Sequence, residues 1–227
     1  GYGAAGERCM AVSVAVPVGE ETADRLIEAL VPRIERLRVA PYTDGDDVDF
    51  GPVVTREAKE RILGLINSGV EQGAELVVDN RDFKLQGYED GFFVGPHLFD
   101  KVTPDMDIYK QEIFGPVLST VRAGSYEEAL KLAMDHEYGN GTAIFTRDGD
   151  TARDFAHRVN IGMVGINVPI PVPLAYHTFG GWKKSMFGDL NQHGPDSFKF
   201  YTRTKTITSR WPSGIKEGGE FNFKAMD

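Results

Sequence analysis

The chain has 227 residues, 41% hydrophobic and 26% charged, with a net charge of −9. This is an ordinary globular composition, and the acidic balance argues against a nucleic-acid partner, which demands a basic footprint. A single cysteine excludes an internal disulfide framework or a paired-cysteine metal site, and no apolar run approaches the ~18 residues of a membrane helix.

The chain opens Gly1-Tyr2-Gly3-Ala4-Ala5-Gly6-Glu7-Arg8-Cys9-Met10-Ala11. A thiolate is the strongest nucleophile a protein offers near neutral pH, and a neighbouring cation such as Arg8 favours it. A lone cysteine also packs well as a small buried hydrophobe, so Cys9 has two readings from position alone. Gly1, Gly3 and Gly6 match a dinucleotide-binding pattern, but that pattern needs a strand before it and a helix after it. This sequence shows no strand ahead of Gly1, and the residues after Cys9 read as a strand. The glycines instead suit a tight turn and close backbone approach around Cys9. With no initiator methionine and a start inside this motif, the chain reads as the C-terminal part of a longer protein.

Residues 11–18 are rich in β-branched side chains and predict a buried strand. Residues 20–39 carry apolar positions at helical spacing, with a kink or break expected at Pro32. The loop after Pro41 clusters Asp44, Asp46, Asp47 and Asp49. Its spacing fails the calcium-loop pattern and reads as a solvated acidic turn. Residues 55–72 predict a second helix ending at Gly73, followed by a short strand at 76–78 and extended segments at 92–94 and 97–102. Strands at 117–122, 142–146 and 162–167 alternate with helices at 126–136 and 151–159. The first of these helices is opened by a Ser125–Glu128 capping box. That alternation implies parallel strands with right-handed crossovers. The fold class is therefore α/β, an open, mostly parallel twisted sheet flanked by helices.

Residues 168–181 form a proline- and glycine-rich loop after a parallel strand, where α/β proteins place ligands. Residues 198–210 alternate threonines with Arg203, Lys205 and Ile207. They predict a long strand too polar for a core, suited to pairing with a sheet edge in this chain or a partner. The expected division is a catalytic domain over 1–197, an oligomerisation strand over 198–211 and a loose tail over 212–227.

Three segments carry a resemblance. Residues 3–11, Gln111-Glu112-Ile113-Phe114-Gly115-Pro116, and Gly165-Ile166-Asn167 with Phe179-Gly180-Gly181-Trp182-Lys183-Lys184-Ser185 are similar, in order and spacing, to motifs of the aldehyde dehydrogenase superfamily. Thr178 and Phe187-Gly188-Asp189 depart from the family pattern around the last segment. The form Gly6-Glu7-Arg8-Cys9-Met10-Ala11 resembles the CoA-acylating branch that oxidises malonate and methylmalonate semialdehyde.

The resemblance implies roles. Cys9 is the nucleophile, which forms a thioester after hydride transfer to NAD. Its backbone N–H is one oxyanion donor, the other lying upstream of this chain. Glu112 binds the ribose beside the nicotinamide, where a carboxylate accepts two hydrogen bonds from a diol. Phe114 packs near the nicotinamide, and Phe179 lines the aldehyde pocket. Arg8 recognises the substrate carboxylate, for which a guanidinium offers a bidentate match. CoA is the acyl acceptor, and a homo-oligomer assembles through the C-terminal strand. No metal is implied, and the expected location is the cytoplasm, or the mitochondrial matrix in a eukaryote. A hydrolytic aldehyde dehydrogenase is the alternative, because the position that separates the branches lies upstream. Without the resemblance, Glu112 reads as a solvated residue before a turn and Phe179 as core. A Cys–His hydrolase lacks any recognisable histidine signature. A catalytically silent fragment or oligomerisation module is the reading from a different class.

Overall fold

The computed structural model describes residues 1–211. The tail expected over 212–227 lies outside the described residues. The main sheet has four strands, β1 (Val14–Ala15), β2 (Glu75–Val78), β3 (His97–Asp100) and β4 (Val117–Thr120), in the order β1-β4-β3-β2. β1 and β3 run parallel to β4, and β2 runs antiparallel to β3.

A helix covers each face of this sheet, which is why its strands are nearly continuous apolar runs. α1 (Glu20–Ile34) turns Ile27, Leu30 and Val31 toward Leu98 and Leu118. α2 (Arg56–Glu71) places Ile62 and Ile66 in the core that holds Phe99 and Val117. Alternate residues of β3 and β4 thus serve opposite faces. Thr55 caps α2 by accepting from Ala58 N at 3.1 Å. α1 continues through Pro32 to Ile34 rather than breaking before it. The proline removes one hydrogen bond close to the natural end of the helix, so little is lost.

α3 (Asp107–Lys110) precedes β4, and α4 (Tyr126–Asp135) follows it. The expected capping box is half formed. Glu128 N donates to Ser125 Oγ, but the Glu128 carboxylate accepts from Gly124 N instead of Ser125 N. Beyond α4 come β5 (Tyr138–Gly139), β6 (Gly141–Ile144), α5 (Gly149–Arg158), β7 (Met163–Ile166), β8 (Trp182–Lys183) and α6 (Asp196–Tyr201). β6 and β7 pair in parallel, and β5 pairs antiparallel with β8. Leu130, Phe155, Val159 and Ile161 form a separate core with Ile144 and Val164. The expected continuous sheet from β4 to β7 is therefore split, because β1 and β3 already occupy both edges of β4.

The acidic turn is organised by Arg38, whose side chain reaches Asp47 and the Asp44 carbonyl while its N–H donates to Asp49. Among the described residues no cluster of three or more His, Cys, Asp or Glu side chains is arranged to hold a metal. Nor is any helix there long and apolar enough to cross a membrane.

The expected strand over 198–210 is not formed within the described residues of this chain. Its first residues belong to α6, so residue 198 falls inside a helix, and residues 202–211 join no ladder. Pro195 and Asp196 favour a helix start there, and Thr202 closes the end by donating from Oγ1 to Phe198 O at 2.6 Å. A strand needs an edge to pair with, and among the described residues 202–211 pair with none.

Candidate active site

The segment before Cys9 is wound the wrong way for L-residues. Ala4, Ala5 and Gly6 have φ of 51°, 54° and 73°. Left-handed alanines cost about 1–2 kcal/mol each and persist only where the surroundings over-determine them. Here they do. Ala5 is buried in the main core, Glu7 N closes the turn on Ala4 O at 3.0 Å, and Tyr2 donates its hydroxyl to His97 O at 2.9 Å. Glu7 also accepts from Val54 N through its carboxylate.

Immediately after this strained turn, Ala11 N donates to Arg8 O at 3.1 Å. Cys9 and Met10 therefore sit at the head of a second turn, and Cys9 is exposed. The buried-hydrophobe reading of Cys9 is thereby overturned. Arg8 is exposed too, and folds back over Gly3, where an added methyl would lie 3.3 Å from Arg8 Nη1. Among the described residues Arg8 has no carboxylate partner.

The second motif abuts the first. A methyl on Gly6 would overlap the Gly115 carbonyl, and one on Gly115 would lie 2.7 Å from Ile62 Cδ1. Glu112 is exposed, ahead of the buried Ile113. Phe114 is half-buried with φ of 50°, another non-glycine in the left-handed region. Arg61 of α2 fixes this segment, with Nη1 donating to Glu112 O at 3.1 Å and Nη2 to Ile113 O at 2.7 Å. An exposed carboxylate on a clamped backbone can accept from a diol such as a ribose, and the half-buried ring beside it can pack on a planar ring, so the pair fits a dinucleotide's ribose and nicotinamide.

The third motif is joined to the first through Asn140, between β5 and β6. Asn140 Nδ2 donates to Cys9 O at 3.0 Å and lies 3.2 Å from Met10 Sδ. A methyl on Gly181 would come within 3.3 Å of Asn140 Cα. Gly180 packs its backbone on Gly162 so closely that a methyl on Gly162 would overlap the Gly180 carbonyl. Phe179 is half-buried against His193, with ring centroids 5.4 Å apart. Lys183, with φ of 55°, donates from Nζ to the carbonyls of Ala133, Met134 and His136 at the end of α4. Burial holds the Lys183 ammonium below the usual lysine range.

Sequence reasoning assigned no role to Arg61, Asn140 or Lys183. Arg61 is one of several charged residues of α2, and nothing in its spacing marks it. Asn140 stood at the edge of an expected strand, and its flanking glycines were the only signal that backbone crowds there. Lys183 lay inside a quoted motif without a function of its own.

A compact α/β domain with an exposed thiol on a strained turn, joined by backbone packing to two further motifs, is the class that fold and site define. Residues 1–207 match the model of the aldehyde dehydrogenase family. The chain belongs to that family. It is 58% identical over 226 residues to a malonate-semialdehyde dehydrogenase of Pseudomonas aeruginosa, covering 99% of this chain and 45% of the relative. A mitochondrial protein of Bos taurus, named as an acylating methylmalonate-semialdehyde/malonate-semialdehyde dehydrogenase, is 50% identical over 92% of this chain and 38% of its own length. A structure from Sinorhizobium meliloti, solved with NAD and described as a methylmalonate-semialdehyde dehydrogenase, superposes with a TM-score of 0.92. Its identity is 77%, over 96% of this chain and 44% of that one. The chain thus spans less than half the length of these relatives.

Proposed function

We propose that this chain carries the nucleophile half of an enzyme oxidising malonate or methylmalonate semialdehyde to acetyl-CoA or propionyl-CoA with loss of CO2. The observation that carries the reading is the exposed Cys9 at the head of a turn locked to the Glu112 and Phe179 motifs. The relatives' names supply the substrate class, and the bovine name supplies acylation.

In this reading the Cys9 thiolate attacks the aldehyde carbon, and the new oxyanion is held by the Cys9 N–H and a donor outside this chain. NAD, when bound, supplies the hydride acceptor. Loss of hydride leaves an acyl thioester on Cys9. The substrate carboxylate departs as CO2, the α-carbon takes up a proton, and the thiol of CoA displaces Cys9 to regenerate its thiolate. Glu112 holds the ribose, Phe114 flanks the nicotinamide and Phe179 walls the aldehyde pocket. Arg8, with no carboxylate partner among the described residues, offers its guanidinium to the substrate carboxylate. Residues 202–211 and the exposed Phe198, Tyr201, Ile207 and Trp211 are the surface through which copies associate.

The test uses a fusion of this chain to the upstream part of the Sinorhizobium meliloti relative. Cys9→Ser is expected to abolish NADH formation with the fold intact, and sustained turnover would remove Cys9 from the mechanism. Arg8→Leu is expected to raise KM for malonate semialdehyde far more than for propanal. Equal effects on both would show that Arg8 does not read the carboxylate.

A further inference from the structure

We propose that Asn140 is a positioning residue for the nucleophile, pinning the central peptide of the turn that carries Cys9. The proposal rests on the reading of Cys9 as nucleophile.

The Cys9 carbonyl belongs to the Cys9–Met10 peptide, the middle unit of the turn closed by Ala11 N and Arg8 O. Common turn types differ chiefly by a flip of that unit, and the closing hydrogen bond tolerates either orientation. The closure therefore leaves one freedom, the direction in which the central carbonyl and its N–H point. The donation from Asn140 Nδ2 to Cys9 O removes it. A flipped peptide would turn the Met10 N–H toward the Asn140 amide donor and lose the bond.

Asn140 is itself well held. Gly139 and Gly141, its neighbours, lie in two different ladders, with β8 and β7 respectively. Its carbonyl accepts from Met163 N at 3.2 Å, and Gly139 N donates to Ser185 Oγ at 3.0 Å. Gly141 leaves room for Met10, whose Cε would lie 2.7 Å from a methyl there. The donor is thus mounted on sheet backbone, while the acceptor sits on an exposed turn preceded by left-handed residues. A rigid donor against a strained acceptor is the arrangement that fixes a nucleophile's aim.

Two readouts test this. In the chain as it stands, Cys9 is the only cysteine, so cysteine labelled with ¹³C at the carbonyl gives a single backbone resonance. Asn140→Leu and the near-isosteric Asn140→Asp, which offers no donor at neutral pH, are both expected to move that resonance upfield. In the fusion both are expected to lower kcat about 10²-fold, with KM for NAD unchanged. Asn140→Asp keeps the volume but puts an anionic acceptor where the donor was, and Asn140→Leu removes the donor without adding charge, so a matching loss in both assigns the effect to the lost hydrogen bond rather than to packing or charge. Wild-type kcat in a folded Asn140→Asp enzyme, or an unmoved carbonyl resonance, overturns the proposal. The Cys9→Ser fusion run alongside separates the two failures. If it is inactive while Asn140→Asp is fully active, only the positioning role falls. If it turns over normally, the nucleophile reading falls and takes this proposal with it.

Discussion

Gly6 and Gly115 meet backbone to backbone, with no room between them for a single methyl group. This contact joins the turn that presents Cys9 to the motif that begins with Glu112, across more than a hundred residues of chain. Ile62 closes the other side of Gly115, so neither glycine can yield outward.

Gly6→Ala tests the contact directly. The substitution adds a left-handed alanine and a clash with the Gly115 carbonyl, and is expected to cost on the order of 3 kcal/mol. Urea unfolding measures it. An unchanged midpoint would show that the two motifs are not held by this packing.

Lys183 and Lys184 are neighbours with opposite expectations. Lys183 donates to carbonyls at the end of α4, whereas Lys184 pairs with Glu137 at the surface. Lys183→Ala is expected to destabilise by about 2 kcal/mol, because three charged hydrogen bonds to carbonyls at the end of α4 are lost. Lys184→Ala is expected to stay within about 1 kcal/mol. Thermal unfolding of both variants compares them, and equal losses would contradict the account.

His97 should make the fold acid-sensitive. It is fully buried, neither ring nitrogen makes a well-aligned hydrogen bond among the described residues, and burial, only partly offset by the nearby Gly95 backbone, lowers its pKa to about 4. The unfolded chain binds this proton near pH 6.5, so between pH 6.5 and 4 the unfolded state holds more protons than the folded one. Stability therefore falls as pH drops through that window, by at most about 3 kcal/mol, and no further from this group below it. His97→Leu is expected to flatten the dependence. An unchanged slope between pH 6.5 and 4 would show that another group carries it.

Arg61 should act on cofactor affinity. Arg61→Met removes both donations to the Glu112 and Ile113 carbonyls and frees the segment that bears the proposed ribose ligand. In the fusion enzyme the expected result is about a 10-fold rise in KM for NAD, equivalent to about 1.4 kcal/mol, with a smaller change in kcat. A KM equal to wild type would detach Arg61 from the site.

The periodic parts of the fold were legible in the sequence because burial dictates periodicity. α2 lies within one residue of the expected helix at each end, and the parallel pair β6–β7 with α5 between them stands where the alternation put it. The division into separate sheets was not legible, because strand order depends on which edges other strands already occupy. Within residues 198–210 the expectation fails at 198–201, which belong to α6, while Thr202 onward joins no ladder among the described residues: alternation says what a segment suits, and not which edge it meets. Cys9 stands in a motif that side-chain types mark, while Asn140, Arg61 and Lys183 bond to backbone carbonyls. Such contacts leave no pattern in side-chain type, because any carbonyl accepts equally well.

The central claim is that Cys9 forms an acyl thioester that CoA releases. Its most direct test is the time course of NADH on mixing the fusion enzyme with NAD and malonate semialdehyde, with and without CoA. The account predicts at most one NADH per Cys9 without CoA, followed by arrest, and sustained turnover once CoA is added. Sustained turnover without CoA would contradict it and place the enzyme in the hydrolytic branch.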